Sequence, residues 1–265
     1  MLLTVDIGNT NIVLGLFGDN QGGTSADATL VHDWRMRTDA RMTADEMALT
    51  FRGLLGEYTA KITGVAALST VPAVLRELRV MVDRYWPQLP RVIVEPGVRT
   101  GVPLLCDNPR EVGADRIVNT LAAYTLYGGP AIVVDFGTST NFDVISARGE
   151  FLGGALAPGI EISIDALATR AAQLVKVQLV RPRSVIGKST VEALQSGLLF
   201  GFAGQVDGLV RRIATELAPG TESEVVVVAT GGLAPLLITE SATITHHAPH
   251  LTLRGLRMVY ERNIT

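Results

Sequence analysis

Val5-Asp6-Ile7-Gly8-Asn9-Thr10-Asn11 and Val134-Asp135-Phe136-Gly137-Thr138-Ser139-Thr140 are two spellings of one short phrase. Each follows a run of β-favouring apolar residues, Leu2 to Val5 or Ala131 to Val134, and each leads into a second β-like run. The pattern predicts a strand, a tight turn and a returning strand, with an acid at the strand end, then a glycine, then hydroxyl and amide side chains. Asp-x-Gly-Asn also builds ordinary hairpin turns, because Gly and Asn tolerate positive φ. A plain turn, however, needs neither a hydroxyl after the glycine nor an acid at the same place in both copies. A phosphate site uses all of these. Glycine lets backbone N–H groups approach an anion, hydroxyls add donors, and a carboxylate holds a cation that offsets the phosphate charge. Two related half-molecules, gripping a nucleoside triphosphate from either side of a cleft, are therefore expected.

The rest of the composition narrows the class. A chain of 265 residues, 47% hydrophobic and 18% charged, has enough apolar material for a large core and little tendency to disorder. Its formal charge of −3 provides no broad basic field, so neither nucleic acid nor an anionic membrane is an expected partner. Cys106 is the single cysteine, which excludes an intrachain disulfide and a thiolate metal cluster and fits a reducing compartment. The opening Met1-Leu2-Leu3-Thr4-Val5 is cut short by Asp6 and has no basic residues ahead of it, unlike a secretory signal. Val225 to Ile238, the longest apolar stretch, is interrupted by Thr230, Gly231, Gly232 and Pro235 and is too short to span a bilayer. A cytoplasmic location is expected.

Strand and helix signals alternate, which gives an α/β class. Gln21 to Ala28 reads as a loop. Thr43 and Glu46 form a capping box ahead of Met47, Phe51, Leu54, Leu55 and Tyr58 at helical spacing. Ile62 to Leu68 reads as a buried strand, Pro72 to about Trp86 as a helix, and Arg91 to Val94 as another strand. Asn108, Pro109 and Glu111 predict a helix start, continuing to about Leu126. Gly128-Gly129-Pro130 then breaks the chain, placing the domain boundary between 1–127 and 128–265. In the second half, Phe151 to Ile160 reads as a glycine-rich segment with a Pro158-Gly159 turn. A long helix is expected from Ser189 or Thr190, and Glu224 to Ala229 should be a buried strand ending at Thr230-Gly231-Gly232, a third place for backbone to approach a ligand. Gly197, Gly201, Gly204 and Gly208 form a stripe on the long helix, and glycine is costly there unless another backbone lies close. Packing within the subunit and a homodimer seam both explain it.

Three further motifs carry possible chemistry. Ile186-Gly187-Lys188-Ser189 is not a Walker loop, because Pro182 stands where that pattern needs a glycine. His246, His247 and His250 have metal-like spacing, but no cysteine or acid stands beside them, which favours a polar loop over zinc. Gly113-Ala114-Asp115-Arg116 sets a carboxylate and a guanidinium side by side in an apolar helix. Adjacent helical residues point about 100° apart, so the two pair poorly with each other. They suit two parts of one ligand, the acid taking a proton and the cation meeting an anion.

Taken in order, Asp6-Ile7-Gly8-Asn9-Thr10, Gly113-Ala114-Asp115-Arg116, Asp135-Phe136-Gly137-Thr138, Gly187-Lys188-Ser189-Thr190 and Thr230-Gly231-Gly232 resemble the type III pantothenate kinases, from about Leu3 to Asn263. The resemblance implies two ribonuclease H-like domains of the actin-like ATPase superfamily, with an interdomain nucleotide cleft. It implies ATP-dependent phosphorylation of pantothenate as the opening of coenzyme A synthesis, by a homodimer using Mg2+ and a monovalent cation, K+ or NH4+. Carried over by position, Asp6, Ile7, Gly8, Asn9, Thr10, Asn11, Ile12 and Val13 would be the first phosphate loop, with Asp6 near Mg2+, often through water. Gly113, Ala114, Asp115 and Arg116 would bind pantothenate, with Asp115 as proton acceptor. Asp135 would ligate the monovalent cation, Thr138 would touch ATP phosphate, Thr190 would meet pantothenate, and Gly231-Gly232 would lie on the adenosine side. Ser139 departs from a frequent alanine, and Leu104, Leu105 and Cys106 stand where many relatives have an aromatic. The rivals are another kinase or a phosphatase of the same superfamily, and a non-catalytic nucleotide-binding regulatory protein.

Overall fold

The structure, a computed structural model, describes residues 1–18, 29–170 and 177–264; the loop expected over Gln21 to Ala28 lies outside the described residues. The chain forms two compact units. The first contains β1 (Leu2–Ile7), β2 (Asn11–Phe17), β3 (Leu30–Arg37), β4 (Gly64–Ser69) and β5 (Arg91–Ile93), in the sheet order β3-β2-β1-β4-β5. β1–β2 and β2–β3 are antiparallel, whereas β1–β4 and β4–β5 are parallel. Alternation decides the burial. Leu3, Val5, Ile7, Ile12 and Leu14 turn into a core with Met47 and Phe51 of α1 (Ala44–Leu55) and Leu78 of α2 (Pro72–Tyr85). Thr43 and Glu46 make the expected capping box on α1, and Pro72 opens α2.

The third helix begins later than its sequence signals predict. Pro109–Glu111 is a short 3-10 turn, Val112 is extended, and α3 spans Ala114–Tyr127. Asn108 makes no side-chain cap; its amide donates to the Glu111 carboxylate at 2.6 Å. With the pair satisfied by each other, the chain is free to turn once more, and Gly113 accepts the first helical bond from Ile117 N–H at 3.2 Å.

The second unit repeats the design. β6 (Ala131–Phe136), β7 (Ser139–Ile145), β8 (Phe151–Pro158), β9 (Val226–Thr230) and β10 (His246–His247) are ordered β8-β7-β6-β9-β10, matching the first sheet strand for strand. The pairing directions match too, and the antiparallel ladders slip at the same place, between Leu16 and Phe17 and between Val144 and Ile145. In β1 the one half-buried position is Asp6, and in β6 it is Asp135. The glycine-rich stretch from Phe151 is thus a strand. Gly154, at φ 159°, lies against the Phe142 carbonyl, where a Cβ would collide, so glycine here admits a close backbone neighbour. α4 (Ile160–Arg170), α5 (Thr190–Leu217) and α6 (Ala234–Leu237) accompany this sheet. Ser189 caps α5 by accepting from Glu192 N–H at 3.2 Å.

The units are discontinuous in sequence, unlike the contiguous halves 1–127 and 128–265. The first takes Met1–Val102, Asp107–Leu126 and Leu251–Thr265; the second takes Pro103–Cys106 and Tyr127–His250. The final helix, α7 (Leu251–Ile264), returns to β1, β4 and β5. It fits because Gly255 lies against the Val118 carbonyl of α3, where a side chain would clash. Asn263 closes the end, accepting from Arg99 N–H at 3.2 Å and donating to the Arg99 carbonyl at 3.0 Å.

Candidate active site

In the first unit, β1 delivers Asp6 to the sheet end and the turn follows at once. Gly8 N–H donates to the Asn11 carbonyl at 3.0 Å, and the Ile7 carbonyl accepts from Thr70 N–H at 2.9 Å and its hydroxyl at 3.3 Å. Asn9 and Thr10 are exposed at the tip, while Ile12 is buried and anchors the return strand, with Val13 half-buried beside it.

Asp115 is brought to the same place. It lies in the first turn of α3, where burial pushes its carboxyl up, opposed by the Arg116 backbone N–H and guanidinium. Gly113 makes room for it, since a Cβ there would strike Asp115 Oδ1. Asp6 is pushed up to about 7, first by burial and then by the negative charge of Asp115, while Arg35 of β3 opposes both. Arg35 pairs with Val13, which pairs with Asp6, so the cation and the acid share a sheet face. The repeated hairpin phrase marked Asp6, and the Gly113-Ala114-Asp115-Arg116 motif marked Asp115, each separately; their mutual repulsion was not legible in sequence. Two carboxylates that burden one another fit a divalent cation held by one acid together with phosphate oxygens and water. Among the described residues no group of three or more His, Cys, Asp or Glu side chains could hold a metal alone.

In the second unit Asp135 is the last residue but one of β6, and Gly137 N–H donates to the Ser139 carbonyl at 3.0 Å. Thr138 is exposed at this tip, and Ser139 Oγ donates to Asn141 Oδ1 at 2.8 Å. Gly231, at φ 90°, lies where a Cβ would meet the Phe136 carbonyl at 2.5 Å and Asp135 Oδ1 at 2.6 Å. Asp135, the Gly137–Thr138 turn and Gly231 therefore form one neighbourhood. Thr190 is exposed at the start of α5, a separate element of this unit. Lys188 is exposed, its N–H donating to Glu192 Oε2 at 3.1 Å. His246 and His247 are exposed in β10 instead of a loop, with Thr245 Oγ1 2.9 Å from His246 Nδ1 and the Tyr127 ring 4.7 Å from that imidazole.

Residues 2–212 match the family model described as type III pantothenate kinase, a span containing both hairpins, Gly113–Arg116 and Thr190. A type III pantothenate kinase from Saccharopolyspora erythraea is 70% identical over 263 residues, covering 99% of each chain. The chain belongs to the type III pantothenate kinase family. Among solved structures, a protein described as a Baf family transcriptional activator from Campylobacter jejuni is similar with a TM-score of 0.60 at 19% identity, covering 99% of this chain and 98% of that one. The activator of 2-hydroxyisocaproyl-CoA dehydratase from Clostridium difficile, solved with bound ADPNP, is similar at 0.57 and 12% identity, covering 99% and 95%. These likenesses concern the fold alone, two α/β units with sheets of the same strand order. For this family member, sequence reasoning missed β3 and hence Arg35. The alternation of His32, Trp34 and Met36 with the charged Asp33, Arg35 and Arg37 was the available signal.

Proposed function

We propose that this family member phosphorylates pantothenate with ATP, opening coenzyme A synthesis. The observation that carries the reading is the placement of Asp115, a carboxyl raised by burial, beside Asp6 at the end of the first phosphate hairpin. An acid raised toward neutrality is a better proton acceptor than an exposed one. In this reading Asp115 takes the proton of the acceptor hydroxyl, Gly113 and Ala114 give the substrate backbone to lie against, and Arg116 meets its carboxylate. Thr190 adds a polar contact to pantothenate. Asp6 to Val13 and Thr138 hold the ATP phosphates, and phosphoryl transfer depends mainly on such positioning and charge neutralisation. Mg2+, when bound, would neutralise phosphate charge near Asp6. Asp135 would hold K+ or NH4+, with Gly231 leaving room beside its carboxylate.

A homodimer and a cytoplasmic location belong to the same proposal. The glycine stripe supports the former: among the described residues, a Cβ at Gly197, Gly201, Gly204 or Gly208 would meet no neighbouring atom within 4 Å. Packing among the described residues therefore leaves this row uncovered. For the latter, among the described residues no helix is long and apolar enough to cross a membrane.

The deciding experiment measures ATP consumption by the parent and by Asp115→Asn, with and without pantothenate, in K+ and then in Na+. Consumption that depends on pantothenate, prefers K+ and falls by about 100-fold to 10,000-fold in the variant is expected. Phosphate release without pantothenate would identify a phosphatase. Nucleotide binding with no turnover would identify a regulatory protein, and a variant as fast as the parent would remove Asp115 as base.

A further inference from the structure

The residue that follows the third strand does the same thing in both units. In the first, Arg37 ends β3 opposite Asn11, and the next residue, Thr38, donates its N–H to the Thr10 carbonyl at 3.0 Å. In the second, Pro158 ends β8 opposite Ser139, and Gly159 donates its N–H to the Thr138 carbonyl at 3.2 Å. The side chains then differ. Thr38 Oγ1 donates to the Gly8 carbonyl at 2.6 Å, whereas a Cβ at Gly159 would collide with the Gly137 and Thr138 carbonyls.

Turn length explains the difference. Residues 8–11 separate the paired Ile7 and Ile12, but only 137–139 separate Phe136 and Thr140. The longer turn has one more residue to fix, and the Thr38 hydroxyl supplies one more bond. With it, the carbonyls of Ile7, Gly8, Thr10 and Asn11 are all bonded to the protein. Carbonyl oxygens repel phosphate, so holding them in place keeps the negative ends of these peptide dipoles off an incoming anion.

We infer that Thr38 is a positioning residue for ATP, acting through Gly8 and Thr10 to set the first turn in its anion-receiving shape. The inference rests on the reading of Asp6 to Val13 as a phosphate loop. Thr38→Val keeps the β-branched shape and removes the donor, leaving the Gly8 carbonyl without its short bond; Thr38→Ser keeps the donor. The expected result is an ATP Kd, measured by calorimetry, weakened about tenfold in Thr38→Val and close to parent in Thr38→Ser. The KM for pantothenate and the melting temperature should stay near parent values in both. If Thr38→Val does not fold, Thr38→Cys, with a weaker donor, should weaken ATP binding by a smaller factor of about three.

Parent-like ATP affinity in Thr38→Val, or in Thr38→Cys where that variant replaces it, would overturn the inference. So would equal losses in the valine and serine variants, or a pantothenate KM that rises as much as the ATP Kd. Gly8→Val, measured alongside, separates the two readings. If it abolishes ATP binding while Thr38→Val leaves affinity intact, Thr38 has no such role and the loop assignment stands. If Gly8→Val also binds ATP like the parent, the loop assignment fails and the role of Thr38 fails with it.

Discussion

Asp6 shows how one residue can be unfavourable for stability and still be kept. Its carboxyl is pushed up to about 7 by burial and by the nearby Asp115 charge. Below the ordinary value of 3.8 both folded and unfolded chains carry the proton. Between that value and about 7 the folded chain alone holds it, so this group lowers stability as pH rises through that window, and the penalty is constant above it. Asp6→Asn should therefore melt higher than the parent at pH 8, with the gap shrinking toward pH 4, while phosphoryl transfer falls about 100-fold. Thermal melts across that range, paired with activity, check both signs. A variant less stable than the parent at pH 8 would mean that Asp6 is not penalised as described. The acid, the glycine and the hydroxyls were legible as a motif because each is a different requirement of one ligand. The Asp6–Asp115 repulsion was not, since more than a hundred residues separate the two in the chain.

At the scale of elements, α5 carries another buried carboxylate, with the opposite balance. Asp207 is desolvated, yet the Ser241 hydroxyl at 2.6 Å, the Ala242 N–H at 3.0 Å, and the Thr243 hydroxyl at 2.8 Å and N–H at 3.2 Å outweigh that cost and hold its carboxyl below the ordinary range. These bonds pin the segment leading into β10 against α5. The group contributes stability above 3.8 that is lost as pH falls through its folded value. Asp207→Asn should cost about 1–3 kcal/mol at pH 7, and denaturant melts of the two proteins should converge in acid. Persistence of the full gap at pH 3 would rule out the ionised form as the source. Helical spacing and start signals located α1, α2 and α5, and continuous apolar runs located β4 and β9, which are buried on both faces. β8 and the onset of α3 were misread for local reasons. Glycines needed for close backbone approach look like a turn, and Asn108 and Glu111 bond each other while the helix waits for Gly113.

At the scale of the molecule, two sheets of the same order, pairing and slip carry their acids at the same position. Among the described residues, nothing comes within 4 Å of a Cβ built on the glycine row of the long helix of the second unit. In the proposed homodimer, Gly201→Glu should then give a monomer by analytical ultracentrifugation with a melting temperature near that of the parent, since among the described residues a Cβ there meets no neighbouring atom; an unchanged dimer would place the seam elsewhere. The sequence by itself determined the duplication, the two acid-glycine-hydroxyl turns and the adjoining carboxylate and guanidinium of Asp115 and Arg116, because local patterning and chemical type are written residue by residue. Only the tertiary structure decided that α7 returns to the first sheet, that Thr38 and Gly159 tie down turns far from them in sequence, and that Asp6 feels Asp115. Those outcomes depend on which distant segments pack together, and a chain encodes such contacts only through the collective burial of its apolar faces.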